Sequence, residues 1–118
     1  MNWTTLQLRK GLTTLIVLDA LEEGAWYAYG LRHAIHDRTG GLFSFSEGAL
    51  YPLLHTLQAR GLVSVQRRQT RGRDRLYYAL TAKGRTALAE FRREWAILRT
   101  ALAQVLRPAP GKHPENRS

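Results

Sequence analysis

The chemistry this chain could perform is concentrated in one arginine-rich run. Arg67, Arg68, Arg71, Arg73 and Arg75 lie close together, and Asp74 is the only acidic residue between Gly48 and Ala89. A solvated charged segment usually mixes its signs. One-sided arginine at the tip of a hairpin suits contact with phosphate, or insertion into a narrow minor groove. Arg75 has a second possible role, pairing with Asp74 or lying over Tyr77. A second group precedes the arginines: Ser44, Ser46, Glu47, Gly48, Tyr51 and His55. These fall at the start, or on the polar face, of a predicted helix. Its first turn has free N–H groups that can meet a phosphate. A phenol offers a single hydrogen-bonding group, so Tyr51 suits a phosphate better than a base edge. Glu47 can accept from a cytosine amino group, or simply stabilise the helix start.

Other chemistries find little support. The chain has no cysteine, which excludes disulfides, thiolate catalysis and cysteine-bound zinc. Glu22 and Glu23 are adjacent and point apart on a helix. His33, His36 and Asp37 lack the i, i+4 histidine spacing of helical zinc sites, and no third ligand is evident, so no metal is expected. No nucleophile-with-base pattern, phosphate loop or cofactor fingerprint is present, so neither an enzyme nor a cofactor is expected. The formal net charge is +9, from 18 Lys and Arg against 9 Asp and Glu. That surplus calls for a polyanionic partner. No apolar run reaches membrane-spanning length. Met1-Asn2-Trp3-Thr4 lacks the layout of a secretory leader, so a cytoplasmic location is expected.

The elements that must position these residues follow from periodicity. Leu8, Leu12, Leu15, Ile16, Leu18 and Leu21 predict a first helix, ended by Glu22-Glu23-Gly24. Trp26 and Tyr27 read as a short extended link. A second helix is predicted over Ala28 to Arg38, burying Tyr29, Leu31 and Ile35, and stopped by Thr39-Gly40-Gly41. Ser46 is a natural N-cap for a third helix, whose Leu50, Leu53, Leu54 and Leu57 form one buried stripe. Pro52 clashes with the carbonyl four residues back, but that residue is Gly48, so a slightly bent helix is expected rather than a broken one. Gly61 ends it. Val63 and Val65 alternate with polar residues as a half-buried strand requires. Arg71-Gly72-Arg73-Asp74 reads as the hairpin tip. In the return strand Leu76, Tyr78 and Leu80 point one way, Tyr77 and Ala79 the other. Thr81 caps a last helix. There Leu88, Phe91, Trp95, Leu98, Leu102 and Val105 repeat at heptad a/d spacing.

Helix, hairpin and hairpin arginines in this order predict a mainly α fold with a small β-hairpin: a winged helix-turn-helix domain plus a C-terminal dimerisation helix. The expected divisions are 5–81 for the DNA-binding domain, 82–107 for the dimerisation helix and 108–118 for a disordered tail. The seam on the last helix is expected to pack partly on its own domain and partly on a second subunit, with Glu94 and Arg99 flanking it. Trp95 could also line a flat cavity between subunits, where a small aromatic effector would stack.

The same residues carry a family resemblance. From Lys10 to Leu106 the chain resembles the PadR family of bacterial transcriptional regulators. Ser46-x-Gly48-x-Leu50-Tyr51-Pro52-x-Leu54, with Leu57 and Gly61-Leu62-Val63, is similar to the family's recognition helix. Gly72-Arg73-x-Arg75-x-Tyr77-Tyr78-x-Leu80-Thr81-x-x-Gly84 is similar to its wing and the start of its last helix. Two departures stand out. The family usually has proline where Glu47 stands, and His-Gly-Tyr-Glu where this chain has Tyr27-Ala28-Tyr29-Gly30. The resemblance implies a dimer binding double-stranded DNA, usually a repressor released by a small effector or another signal. The competing expectation is a dimeric small-molecule-binding or protein-interaction module that has lost DNA binding.

Overall fold

The computed structural model describes residues 3–106. The leucine spacing that predicts one first helix is divided in two: α1 (Trp3–Arg9) and α2 (Thr13–Leu21). Gly11 sits in the break, and glycine is among the poorest residues for a helix interior. Leu12 N–H donates to the Arg9 carbonyl (2.9 Å), closing the turn, and Ile16 N–H donates to Leu12 (3.0 Å) as the new helix starts.

Trp26 and Tyr27 are more than a link. They form β1 (Trp26–Tyr27), the edge of a three-stranded antiparallel sheet that also contains β2 (Val63–Thr70) and β3 (Arg73–Leu80) in the order β1-β3-β2. Trp26 pairs with Tyr78 and Tyr27 with Tyr77. The Trp26 indole donates to the Ala20 carbonyl (3.2 Å), tying the edge to the end of α2.

α3 (Ala28–Arg38) follows β1 without a loop, and α4 (Glu47–Ala59) comes after the glycine turn. Leu31 and Ile35 are buried as expected, whereas Tyr29 is 55% exposed. Its ring instead stacks with Tyr27 (6.2 Å) and lies 4.4 Å from the His33 ring. α4 continues unbroken through Pro52, the Thr56 hydroxyl donating to the Pro52 carbonyl (3.0 Å). It ends where Leu62 N–H donates to Leu57 and Gly61 N–H to Gln58, both at 2.9 Å. Gly61 has φ +76°, a backbone shape open to glycine and costly for other residues.

The hairpin turn is tighter than the sequence suggests. Only Arg71 (φ 51°) and Gly72 (φ 76°) lie outside the strands, and Thr70 faces Arg73 across them. Two successive positive φ values match the right-handed twist of the flanking strands. Arg67, Arg68, Arg73 and Arg75 therefore belong to the ladder and not to a loop.

α5 (Ala82–Val105) completes the chain described. Thr81 caps it, its hydroxyl accepting from Gly84 N–H (2.9 Å) and donating to the Gly61 carbonyl (2.6 Å). Thr81 N–H donates to the Leu62 carbonyl (3.1 Å). These bonds join the end of α4, the start of β2, the end of β3 and the start of α5. The core lies between α2, α3, α4, β3 and α5, with Leu18, Leu31, Leu54, Tyr78 and Leu88 among its most buried members. Leu88, expected in the dimerisation seam, is only 1% exposed within its own chain and so leaves no surface for a partner. The tail expected to be disordered over 108–118 lies outside the described residues.

Candidate nucleic-acid interface

Local sequence sets the start of α4. The Ser46 hydroxyl accepts from Ala49 N–H (3.2 Å), satisfying one of the orphan donors of the first turn. Leu50, Leu54 and Leu57 are buried, and this fixes the rotation of the helix. Ser44, Ser46, Gly48, Tyr51 and His55 are left exposed. Glu47 is the first residue of the helix.

The ladder gives the wing two faces, because residues directly opposite in an antiparallel pair point the same way. Arg68 faces Arg75, and Gln66 faces Tyr77. Tyr27, opposite Tyr77 on the far side, completes this face. Arg67 faces Leu76 and Gln69 faces Asp74 on the other side, which nearer the core carries Val63, Val65, Tyr78 and Leu80. Burial pushes the Tyr78 phenol above its ordinary pKa, and the neighbouring Tyr51 phenol adds to the shift.

The wing arginines have different surroundings. Arg67 lies 3.8 Å from the Asp74 carboxylate, a loose pair that is exposed on both sides. The Arg68 guanidinium donates to Gln66 Oε1 (3.2 Å) and sits 4.9 Å from the centre of the Tyr77 ring. Arg75 pairs with neither Asp74 nor Tyr77. It lies over Tyr27, 4.3 Å from the ring centre. This geometry depends on β1 joining the sheet, which the sequence reads only as a link. The side chains of Arg71 and Arg73 have no hydrogen bond or ion pair among the described residues, and both are exposed.

The helix and the wing meet. A cleft of about 490 Å³ is lined by Tyr27, Tyr29, Tyr51, Arg73, Asp74 and Arg75, so the phenol of α4 shares one concavity with two wing cations and one wing carboxylate. A second, of about 310 Å³, brings Arg32, His33 and His36 of α3 beside Ser44. Tyr27, Tyr29 and Arg32 were not among the sequence candidates. The signal was the pairing of an exposed aromatic with a basic residue one turn on, Tyr29 with Arg32 and His33, which a core reading of Tyr29 concealed. Among the described residues, no group of three or more His, Asp or Glu is placed to hold a metal ion.

α5 carries a different surface. Arg92 donates to both oxygens of Glu22 (2.8 and 3.0 Å) and to Asp19, clasping α5 to the end of α2. The hydrogen bond from Arg92 holds the Glu22 carboxyl below its usual pKa, and the same partners raise that of Arg92. Beyond this clasp a groove of about 400 Å³ is lined by Leu12, Leu15, Phe91, Trp95 and Leu98 together with Glu90 and Glu94. Phe91 packs against the core, while Trp95, Leu98, Leu102 and Val105 remain exposed.

A helix-turn-helix pair whose second helix shares a cleft with an arginine-bearing hairpin defines a winged-helix regulator. The model of the transcriptional regulator PadR-like family matches residues 17–90, and the chain belongs to that family. The chain is similar to a PadR family transcriptional regulator from Eggerthella lenta, at 27% identity and a TM-score of 0.79 over 90% of this chain and 91% of that one. It is also similar to a PadR-like regulator from Bacillus cereus, at 30% identity and a TM-score of 0.77 over 87% and 99%. A transcriptional regulator from Mycobacterium tuberculosis is 42% identical over 71 residues, 59% of either protein's length. These relatives are regulators of transcription, and the chain is a regulator of that family, not an enzyme. No helix among the described residues is long and apolar enough to cross a membrane.

Proposed function

We propose that the chain is a sequence-specific DNA-binding repressor that acts as a cytoplasmic homodimer on a pseudo-palindromic operator. The observation carrying this reading is the cleft in which Tyr51 of α4 meets Arg73 and Arg75 of β3. Ser44, Ser46, Glu47, Gly48, Tyr51 and His55 would face the major groove and its phosphates. Arg67, Arg68, Arg71, Arg73 and Arg75 would grip the flanking backbone. Pairing through Phe91, Trp95, Leu98, Leu102 and Val105 would set two recognition helices about 34 Å apart, one turn of duplex. The exposure of Trp95, Leu98, Leu102 and Val105 supports the pairing, since large apolar side chains on a terminal helix gain from a partner surface.

A mobility-shift assay with the duplex upstream of the chain's own gene tests the reading, because such regulators commonly control their own operon. Retardation that weakens steeply with salt is expected. A protein that stays monomeric at micromolar concentration, or ignores every duplex in dilute buffer, overturns it. The groove beside Trp95 supports an aromatic effector as the releasing signal. Titration with planar aromatic compounds should quench tryptophan fluorescence and lower DNA affinity, with Trp95→Phe as the control that separates the Trp95 signal from Trp3 and Trp26.

A further inference from the structure

The tyrosines beside the wing arginines form a connected set. Tyr27 meets Tyr77 edge to face (5.6 Å between centroids) and stacks on Tyr29 with planes 10° apart. Arg75 lies over Tyr27 and Arg68 over Tyr77. Gly30 leaves room for the rings of both Trp26 and Tyr27. A Cβ at Gly30 would stand 3.3 Å from Tyr27 Cε1 and 3.0 Å from Trp26 Cε3. The run from Tyr27 to Gly30, where the sequence departs from the family pattern, is therefore a matched pair: a large ring at one end and a bare helix turn to receive it at the other.

We propose that Tyr27 is a positioning residue for DNA binding, holding the guanidinium of Arg75 in the orientation in which it meets a backbone phosphate. The inference rests on the DNA-binding reading above and adds a residue to it. A guanidinium stacked on a ring uses its face, and its N–H donors lie in the plane and remain at the edge. Arg75 makes no side-chain hydrogen bond or ion pair among the described residues, so those donors are not engaged by the protein. Two such donors side by side can hold a phosphate in a bidentate grip. A free arginine loses rotamer freedom when it binds, whereas one already laid on a ring has lost much of it beforehand. Arg68 lies over Tyr77 with donors already engaged by Gln66, and the sheet keeps both arginines on one face.

The test is a double-mutant cycle read by mobility shift on the chain's own upstream duplex, with thermal unfolding of every variant as a check on folding. Tyr27→Leu should weaken binding roughly two- to fivefold per subunit, the scale of one exposed cation–π contact, and so by roughly five- to twenty-five-fold for the dimer. Tyr27→Phe, which keeps the ring face, should restore the lost affinity. In the Arg75→Ala background Tyr27→Leu should cost nothing further, because the residue acts only through that arginine. Equal losses in both backgrounds would mean a merely structural role and overturn the proposal, as would full affinity of Tyr27→Leu. Should Tyr27→Leu unfold, Arg75→Lys decides the matter. It keeps the charge but not the flat stacking surface, so a two- to fivefold loss per subunit is expected (roughly the same contact), and unchanged affinity overturns the proposal. If the unmodified protein binds no duplex, the DNA-binding reading itself fails, and the inference falls with it.

Discussion

Adding one methyl group at Gly84 probes the joint on which the helix, the wing and α5 all depend. Gly84 is the third residue of α5, and its N–H is held by the Thr81 cap. A Cβ built there would sit 2.0 Å from the Leu62 carbonyl oxygen and 3.1 Å from Leu80 Cδ2. Ordinary non-bonded contact lies near 3.5 Å, so the first turn of α5 and the start of β2 would have to separate by roughly 1.5 Å. The obstacle is backbone, which cannot swing aside as a side-chain tip can. The Leu62 carbonyl also accepts from Thr81 N–H, so the shift would strain that bond too. Overpacking of a well-filled site usually costs about 1–3 kcal/mol, and a clash against fixed backbone belongs at or beyond the upper end. Gly84→Ala should therefore lose about 3 kcal/mol or more, which lowers Tm by at least about 12 °C for a domain near this size. Urea unfolding at fixed protein concentration is the assay, with the midpoint moving and the slope unchanged. A loss under about 1 kcal/mol, within the range of ordinary surface changes, would refute the claim that close backbone approach dictates glycine here.

Three further outcomes follow from the same geometry. Arg71→Ala with Arg73→Ala should weaken binding to all duplexes alike and flatten the log–log salt dependence by about 3.6, the signature of four lost phosphate contacts, two on each subunit of the dimer; an unchanged slope removes the wing tip from the interface. Gly48→Ala should raise stability by about 0.5–1 kcal/mol through helix propensity, since the nearest atom to a Cβ there is Ser46 Oγ at 3.9 Å. The same variant should weaken duplex binding, because that surface faces the proposed groove, and stability and mobility-shift measurements must move in opposite directions. Glu22, held below its ordinary value of 4.5 chiefly by the hydrogen bond from Arg92, should give an acid-sensitive contribution to folding. The unfolded chain binds more protons between the two pKa values, so this contribution is complete above about pH 4.5 and disappears as pH falls through the folded value. Acid titration of stability should show that limb, and Arg92→Ala should remove it.

Local signals were the legible ones. Ser46 and Thr81 cap α4 and α5 as their residue types and positions predict, because a cap is decided within three residues. The leucine stripe of α4 is likewise a property of one helix, and Leu50, Leu54 and Leu57 are buried. What sequence reading missed depends on contacts between distant segments. Tyr29 looks like a core residue on helical spacing alone, but Ala28, Leu31 and Ile35 make the buried face of α3 and leave Tyr29 exposed, its ring stacked on that of Tyr27. Arg75 lies over Tyr27 rather than Tyr77 because β1 joins the sheet. Gly84 belongs to a recognisable motif, yet its physical reason, the Leu62 carbonyl, lies more than twenty positions earlier in the chain. Leu88 fits the heptad seam by spacing, but spacing cannot say which turns of a long helix its own domain covers.

The placement of the acids gives the charge a direction. Asp19 and Glu22 are engaged by Arg92, and Glu23 by Arg38. Glu90 and Glu94 line the α5 groove. A net charge of +9 spread evenly would draw a polyanion in any pose. Five acids lie on or at the end of α2 and on α5, whereas the wing sets Arg67, Arg68, Arg71, Arg73 and Arg75 against Asp74 alone, and an imbalance of that kind favours one orientation of an approaching polyanion. The same division separates two tasks along α5. Its first turn is fixed to the ends of α4 and β3 through Thr81 and Gly84, while its later turns expose Trp95 and Leu98 beside the groove. A partner or ligand seated on those later turns thus acts on a helix whose start is bonded to the end of α4. Displacing α5 as a rigid rod must therefore strain the Gly61–Thr81 contact or carry α4 with it.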